Sequence, residues 1–196
     1  MAEIKSTMEM VMERAARMAA AAGEHSGDDE AVKEGMRAAA AFMNGDSLDL
    51  MAQVSGAGDQ ARAVLKGIVT VFLRNIILPR SDEQKESTDR GMAGLLALAD
   101  NNAELVKFFA EMKKMLDQYQ GQREDMRTRL EEGFRQQMEQ LEGNLARQTG
   151  MAMKLSPAQH PKFQEEWQRV LDQLNGQYGQ ALEEHKAMVA RFLGVE

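Results

Sequence analysis

The chain contains no cysteine in its 196 residues. That excludes disulfides, thiolate metal sites and cysteine nucleophiles together, and it fits a reducing compartment, expected to be bacterial cytoplasm. Proline is scarce at 3 residues and aromatics make up only 5%. Positive charge is also in short supply: 24 Lys and Arg face 31 Asp and Glu, for a net charge of -7. Affinity for a phosphate backbone comes largely from Lys and Arg, so this balance disfavours nucleic acid as a partner. No long hydrophobic run occurs. The most apolar stretch, GIVTVFLRNIILPR at residues 67–80, is cut by Arg74 and preceded by Lys66. A membrane span needs about 20 predominantly apolar residues, so the chain is not expected to be transmembrane. The start, MAEIKSTMEMVMERAARM, carries Glu3, Lys5, Glu9, Glu13, Arg14 and Arg17. An unbroken apolar h-region is missing there, and secretion by a signal peptide is not expected.

Motifs of catalysis are missing too. His160 and His185 have no partner at the three- or four-residue spacing of a helical ligand pair, and Glu183 and Glu184 sit one and two residues before His185. The acids beside His25 in GEHSGDDE are accounted for as negative charge at a helix start. Gly56 and Gly58 in VSGAGDQARAV lack the strand, third glycine and distal acid of a dinucleotide fingerprint. No G-x-S-x-G, P-loop or H-E-x-x-H is present. No catalytic residue, cofactor or metal ligand is therefore assigned.

What the chain has in abundance is Ala, Met, Gln, Glu and Leu, which lose little on entering a helix. The fold class expected is all-α, with enough length for one sizeable core or two small ones. Ser6 and Glu9 form a capping-box pattern before Met8, Val11, Ala15, Met18 and Ala22, predicting a helix over 5–22. Val32, Met36, Ala39 and Met43 mark a second helix from the acids at 28–30 to Asn44-Gly45. Asp46 is the expected N-cap of a short third helix ending near Val54, with residues 55–58 a loop. The stretch 59–78 has no second strand-like run to pair with, so it is expected as a central core helix closed by Pro79. Ser81 and Gln84 cap the next helix, which carries Met92, Leu95, Leu96 and Leu98, and Asn101 with Glu104 caps another.

Beyond residue 100 the pattern changes. Residues 118–180 hold 13 of the 16 glutamines, and the apolar residues thin to a seam, Met126, Leu130, Phe134, Met138, Leu141 and Leu145, then Phe163, Trp167, Leu171, Leu174, Tyr178 and Leu182. Pro157 and Pro161 exclude one continuous helix. The expected architecture is a compact multi-helix unit over 1–100 and a long antiparallel, coiled-coil-like hairpin over 101–196. Its turn is placed at about 150–161 and its arms reach roughly 50 to 65 Å. Antiparallel partners have numbers of nearly constant sum, and Met138 with Leu174, Phe134 with Tyr178 and Tyr119 with Leu193 share one, centred on Ser156. Gly133 then lies opposite Gly179. Gly121 is the expected place of any kink or break in the first arm, the alternative being a tolerated surface glycine.

Two groups of residues are candidates for interaction. Arg62, Lys66, Thr70 and Arg74 recur every four residues, Arg80 follows, and no acid occurs between Gln60 and Ser81. This is a charged edge on a core helix, or a contact for an acidic partner or a membrane surface. Phe109, Met115 and Leu116 are expected to remain uncovered by a two-helix arm. The opening residues Glu3-Ile4-Lys5-Ser6, Glu9 and Met12-Glu13 resemble the start of a small family of bacterial proteins with a domain of unknown function. That resemblance implies a bacterial origin and no activity, cofactor or site. The function expected is that of a non-enzymatic structural or interaction protein, self-associating or bound to another protein. The alternatives are peripheral binding through 60–80, or an enzyme or ligand binder with a site among the N-terminal helices.

Overall fold

The structure, a computed structural model, describes residues 28–149 and 160–195. The helix expected over 5–22, His25 and most of the expected turn lie outside these residues. The described elements are α1 (28–43), α2 (Leu50–Gly56), a 3-10 turn (Gly58–Gln60), α3 (Ala61–Asn75), α4 (Asp82–Leu98), α5 (Ala103–Thr149) and α6 (Pro161–Phe192). The fold is all-α, with no strand among the described residues.

Helix ends follow local chemistry. Gly45, at φ 99°, ends α1 with the Asp46 N–H donating to the Ala41 carbonyl, the 6→1 bond of a left-handed cap. α4 ends the same way without glycine: Asp100 and Asn101 take φ 49° and 52°, and the Asn101 N–H reaches the Leu96 carbonyl at 2.8 Å. Short polar side chains tolerate that region better than others. At the start of α4 the Ser81 hydroxyl accepts from the Gln84 N–H, and the Gln84 side chain accepts from the Arg80 N–H at 2.8 Å. Pro161 begins α6 at the position where its missing N–H costs nothing.

Three boundaries differ from expectation. α2 is capped by Asp49, whose carboxylate accepts from the Ala52 N–H at 2.9 Å, and it runs on to Gly56, so Asp46 is not its cap. α3 stops at Asn75 rather than Leu78, with Ile76 extended at φ -82° and ψ 102°. Pro79 drives Leu78 out of the helical region, but the earlier stop has its own cause. The Thr88 hydroxyl, in a side chain only 1% exposed, donates to the freed Asn75 carbonyl, while Ile76 is fully buried. An anchored carbonyl and a buried β-branched side chain make the extended exit the lower-energy one. Lastly, α5 is helical through Gly121, which has open space around it. The expected break there does not occur.

The described residues fall into two compact units. Unit 1 takes residues 28–76, Glu86–Asn102 and 190–195; unit 2 takes Ile77–Lys85 and Ala103–Val189. α4 and α6 each contribute to both.

In unit 1, α3 is the buried helix: Val64, Ile68, Val69 and Phe72 are at most 2% exposed. It crosses α1 at a pair of glycines. A methyl group on Gly67 would overlap the Val32 carbonyl oxygen, and one on Gly35 would overlap the Val64 carbonyl oxygen. The backbones touch, so these positions admit no side chain. On the α4 side the Phe72 ring fills a notch left by Gly94 and meets Phe42 edge-on at 5.5 Å. Arg90 on α4 donates to the Met43 carbonyl at 2.7 Å, satisfying one of the orphan acceptors at the end of α1.

In unit 2, α5 and α6 lie antiparallel. Phe108 meets His185 at 5.2 Å, Tyr119 meets Tyr178 at 5.4 Å, and Phe134 meets Phe163 at 5.5 Å. Residues 150–159, between the two helices, are outside the described set. The register differs from the expected one by about four helical turns. Leu174 packs with Tyr119 and Tyr178 rather than Met138, and Phe134 packs on Phe163 rather than Tyr178. Gly133 and Gly179 each have open space at the Cβ position and make no close approach. A seam of nearly constant period matches itself after any whole number of turns, so periodicity could not choose between these registers.

Candidate functional site

The expected basic edge is on the surface of α3. Arg62, Lys66 and Arg74 are exposed and Thr70, half-buried, turns its hydroxyl to the Lys66 carbonyl at 2.7 Å. The apolar side of the same helix is committed to the core of unit 1, which leaves charge alone facing outward. Arg62 and Lys66 line a notch of about 470 Å³ with Asp28, Asp29 and Asp59, and Arg62 donates to the Gly194 carbonyl at 3.4 Å. The stripe is therefore bordered by acids, of which Asp28 and Asp29 lie far from it in sequence. Nearby on α1, Glu30 accepts from Arg37 at 2.9 Å with Lys33 at 3.5 Å. The hydrogen bond and charge of Arg37 hold the Glu30 carboxyl below the usual carboxylate range, with Lys33 adding to the effect.

Arg80 belongs to unit 2 and is not part of that stripe. It is exposed beside a groove of about 460 Å³ with Gln84, Asn175 and Lys186 on its walls. Lys186 is paired to Glu183 at 2.8 Å, and the Arg80 carbonyl accepts from Arg123 at 3.4 Å. The segment is held to α5 a second time by Lys85 and Asp117 at 2.7 Å.

Phe109, Met115 and Leu116 are not the uncovered residues they were expected to be. Phe109 and Leu116 are each 4% exposed, and Met115 packs half-buried against Tyr119, Leu174 and Tyr178. Besides Val106, 43% exposed near its start, α5 carries exposed apolar surface further along, where sequence reasoning had placed a covered seam. Between Tyr119 and Met138 no α5 residue is fully buried, and on α6 none is between Phe163 and Leu174. Met126 is 40% exposed, and Leu130, Phe134, Trp167, Val170 and Leu171 are half-buried. At one end of this stretch the Arg123 guanidinium lies over Trp167, 5.9 Å from the ring centroid. Its Nε is buried and has no hydrogen-bond partner among the described residues.

The signal that finds this stretch in the sequence is the step of four from Met126 to Leu130, Phe134 and Met138. On a straight helix that step drifts around the axis, so one neighbour cannot cover every member. Charged side chains along it pair within their own helix, as with Arg127 and Glu131 at 2.9 Å and Arg169 and Glu166 at 3.0 Å. Such pairs mark solvated faces and contribute little.

The remaining histidines have local roles. The Nδ1 of His185 is 2.6 Å from the Ala181 carbonyl, and that of His160 accepts from the Lys162 N–H at 3.2 Å. Among the described residues no three His, Asp or Glu side chains converge to hold a metal ion, and no helix is long and apolar enough to cross a membrane.

A sequence-family model described as a family of unknown function (DUF6657) matches residues 52–191. The match covers all of α3, α4 and α5 and nearly all of α6, and it leaves out residues 3–13, on which the resemblance rested. No curated protein and no solved structure matches the chain.

Proposed function

We propose that this chain, which belongs to the family of unknown function DUF6657, is a non-enzymatic helical interaction protein that works by self-association through unit 2. The observation that carries the reading is the thin middle of the α5–α6 arm. On α5 about 27 Å of helix carries no fully buried side chain, and on the facing part of α6 only the roughly 15 Å between Phe163 and Leu174 has none. A soluble helix pair gains little from such an arrangement alone, because burial of an amphipathic face supplies most helix stability. Half-covered Met and Trp side chains beside an arginine also have the composition of interface cores.

Light scattering on protein eluting from a sizing column, over a hundredfold range of concentration, tests this. A dimer or larger assembly that dissociates on dilution is the expected result. A strict monomer at the highest concentration overturns it.

A second reading has one observation in its favour, the exposed Arg62, Lys66 and Arg74 on α3. It assigns that stripe to an acidic partner or anionic membrane surface, against the local presence of Asp28, Asp29 and Asp59. Co-sedimentation with anionic vesicles that weakens with salt is the outcome it requires.

A further inference from the structure

We propose that the groove beside Arg80 is a binding site for a small organic carboxylate with an aliphatic body. The groove lies wholly within unit 2, with the segment 77–84 as one wall and α6 as the other. Its volume of about 460 Å³ is that of sites which hold small molecules. The proposal is independent of self-association and stands equally for a monomer.

Two features of the sequence build the groove. α3 stops at Asn75 and Pro79 keeps Leu78 out of the helical region, so Leu78 packs against Tyr119, Leu174 and Tyr178 and lines the groove. On α6, Asn175, Gly179, Leu182 and Lys186 follow at steps of four, three and four and share one face. Gly179 has nothing within 4 Å of its Cβ position. The missing side chain leaves depth between the two walls.

Hydrogen bonding selects the occupant. The Gln84 oxygen accepts from the Arg80 N–H at 2.8 Å and the Asn175 oxygen accepts from the Tyr119 hydroxyl at 2.9 Å, which leaves both NH2 groups without a partner among the described residues. The Lys186 side chain is only 15% exposed, and its ammonium meets Glu183 alone at 2.8 Å, with two hydrogens to spare. Arg80 has its N–H bonded to Gln84 and its carbonyl to Arg123, while its guanidinium has no acid partner among the described residues. Apart from Glu183, already paired with Lys186, the side-chain groups left over are all donors, and one uncompensated positive charge remains.

Such a rim suits a monoanion that accepts several hydrogen bonds, and a planar guanidinium meets a carboxylate through two of them. Below the rim, Ile77, Leu78 and Leu182 offer a floor on which methylene groups leave water. Because the Arg80 main chain is already held at both its polar groups, less ordering is left for the ligand to impose.

Titration of the labelled protein with sodium octanoate, followed by NMR of backbone and side-chain N–H signals, tests the site. Octanoate should shift the side-chain signals of Arg80, Gln84 and Asn175. Acetate, which lacks the tail, and octanol, which lacks the charge, should each bind roughly tenfold more weakly or worse. Arg80→Gln should weaken octanoate by roughly tenfold or more, and Gly179→Leu should abolish its binding by filling the groove. Two controls should change binding by less than roughly threefold: Arg74→Gln, which removes the same charge from α3, and Gly176→Leu, on α6 outside the groove with its Cβ position equally open. Far-UV circular dichroism reports whether each variant is folded. If Gly179→Leu does not fold, Arg80→Gln decides alone. Octanoate that shifts none of the three side chains at about 10 mM, that binds folded Gly179→Leu or Arg80→Gln as well as the wild type, or that binds no better than acetate overturns the proposal.

Discussion

Replacing Gly67 with alanine should destabilise unit 1, although the same change in most exposed helices is stabilising. The added methyl would overlap the Val32 carbonyl oxygen and would stand 2.9 Å from its carbon and 3.0 Å from the Met36 nitrogen. All three atoms are backbone, so no rotamer change relieves the contact, and α1 must move away from α3 by more than an ångström. That motion loosens packing around Val64, Ile68 and Val69, which are at most 2% exposed. Overpacking of this kind costs about 1–3 kcal/mol and occasionally more. Alanine recovers up to about 1 kcal/mol of helix propensity, leaving a net loss of about 2 kcal/mol at the upper end of that range, where a contact with rigid backbone belongs. In a protein of this size each kcal/mol moves the melting temperature by about 2–4 °C, so a drop of several degrees is expected by far-UV circular dichroism. Gly121→Ala is the matched control. Nothing lies near its Cβ position, and it should gain up to about 1 kcal/mol. Opposite signs from one chemical change isolate the helix crossing. A Gly67→Ala protein that melts at or above the wild type would refute the contact between α1 and α3.

Other consequences can be measured independently. Tyr119→Phe removes the 2.9 Å hydrogen bond to Asn175 while leaving the ring packed on Tyr178, and should cost unit 2 about 1 kcal/mol in urea unfolding followed by Trp167 emission. Arg90→Met leaves the Met43 carbonyl at the end of α1 without its guanidinium donor; because Arg90 is partly exposed, a loss of about 1 kcal/mol is expected in the transition of unit 1. A short bis-maleimide should join Phe134→Cys to Phe163→Cys within one chain and fail to join Met138→Cys to Leu174→Cys, and the reverse result would restore the other register. Glu30 should titrate below the ordinary glutamate value by NMR and return toward it in Arg37→Ala. Its folded-state pKa is the lowered one, so what the contact contributes is present above the unfolded pKa and is lost as pH falls through the folded value.

The sequence by itself determined the helical class and the approximate positions of the elements, because those depend on local terms. Gly45 ends α1, Ser81 and Gln84 begin α4, and Pro161 begins α6 through chemistry confined to a few adjacent residues. The apolar stretch 59–78 and the face of Met92 and Leu95 were likewise legible as core, and Ile68, Val69, Phe72, Met92 and Leu95 are all buried. Tertiary structure decided what depends on distant partners. Thr88 reaches Asn75 and ends α3 three residues before the expected point. Nothing in the sequence singled out Gly35 and Gly67, and only the crossing of α1 over α3 makes them indispensable, whereas Gly121 and Gly133 stand in open space. The register of α5 against α6 was degenerate in sequence, since a seam repeating every turn aligns with its partner at many offsets. Choosing among them moved Phe109 and Leu116 into burial and left Met126 outside. The candidate interaction surface was therefore the part least legible beforehand, because exposure is a property of which neighbour a helix receives.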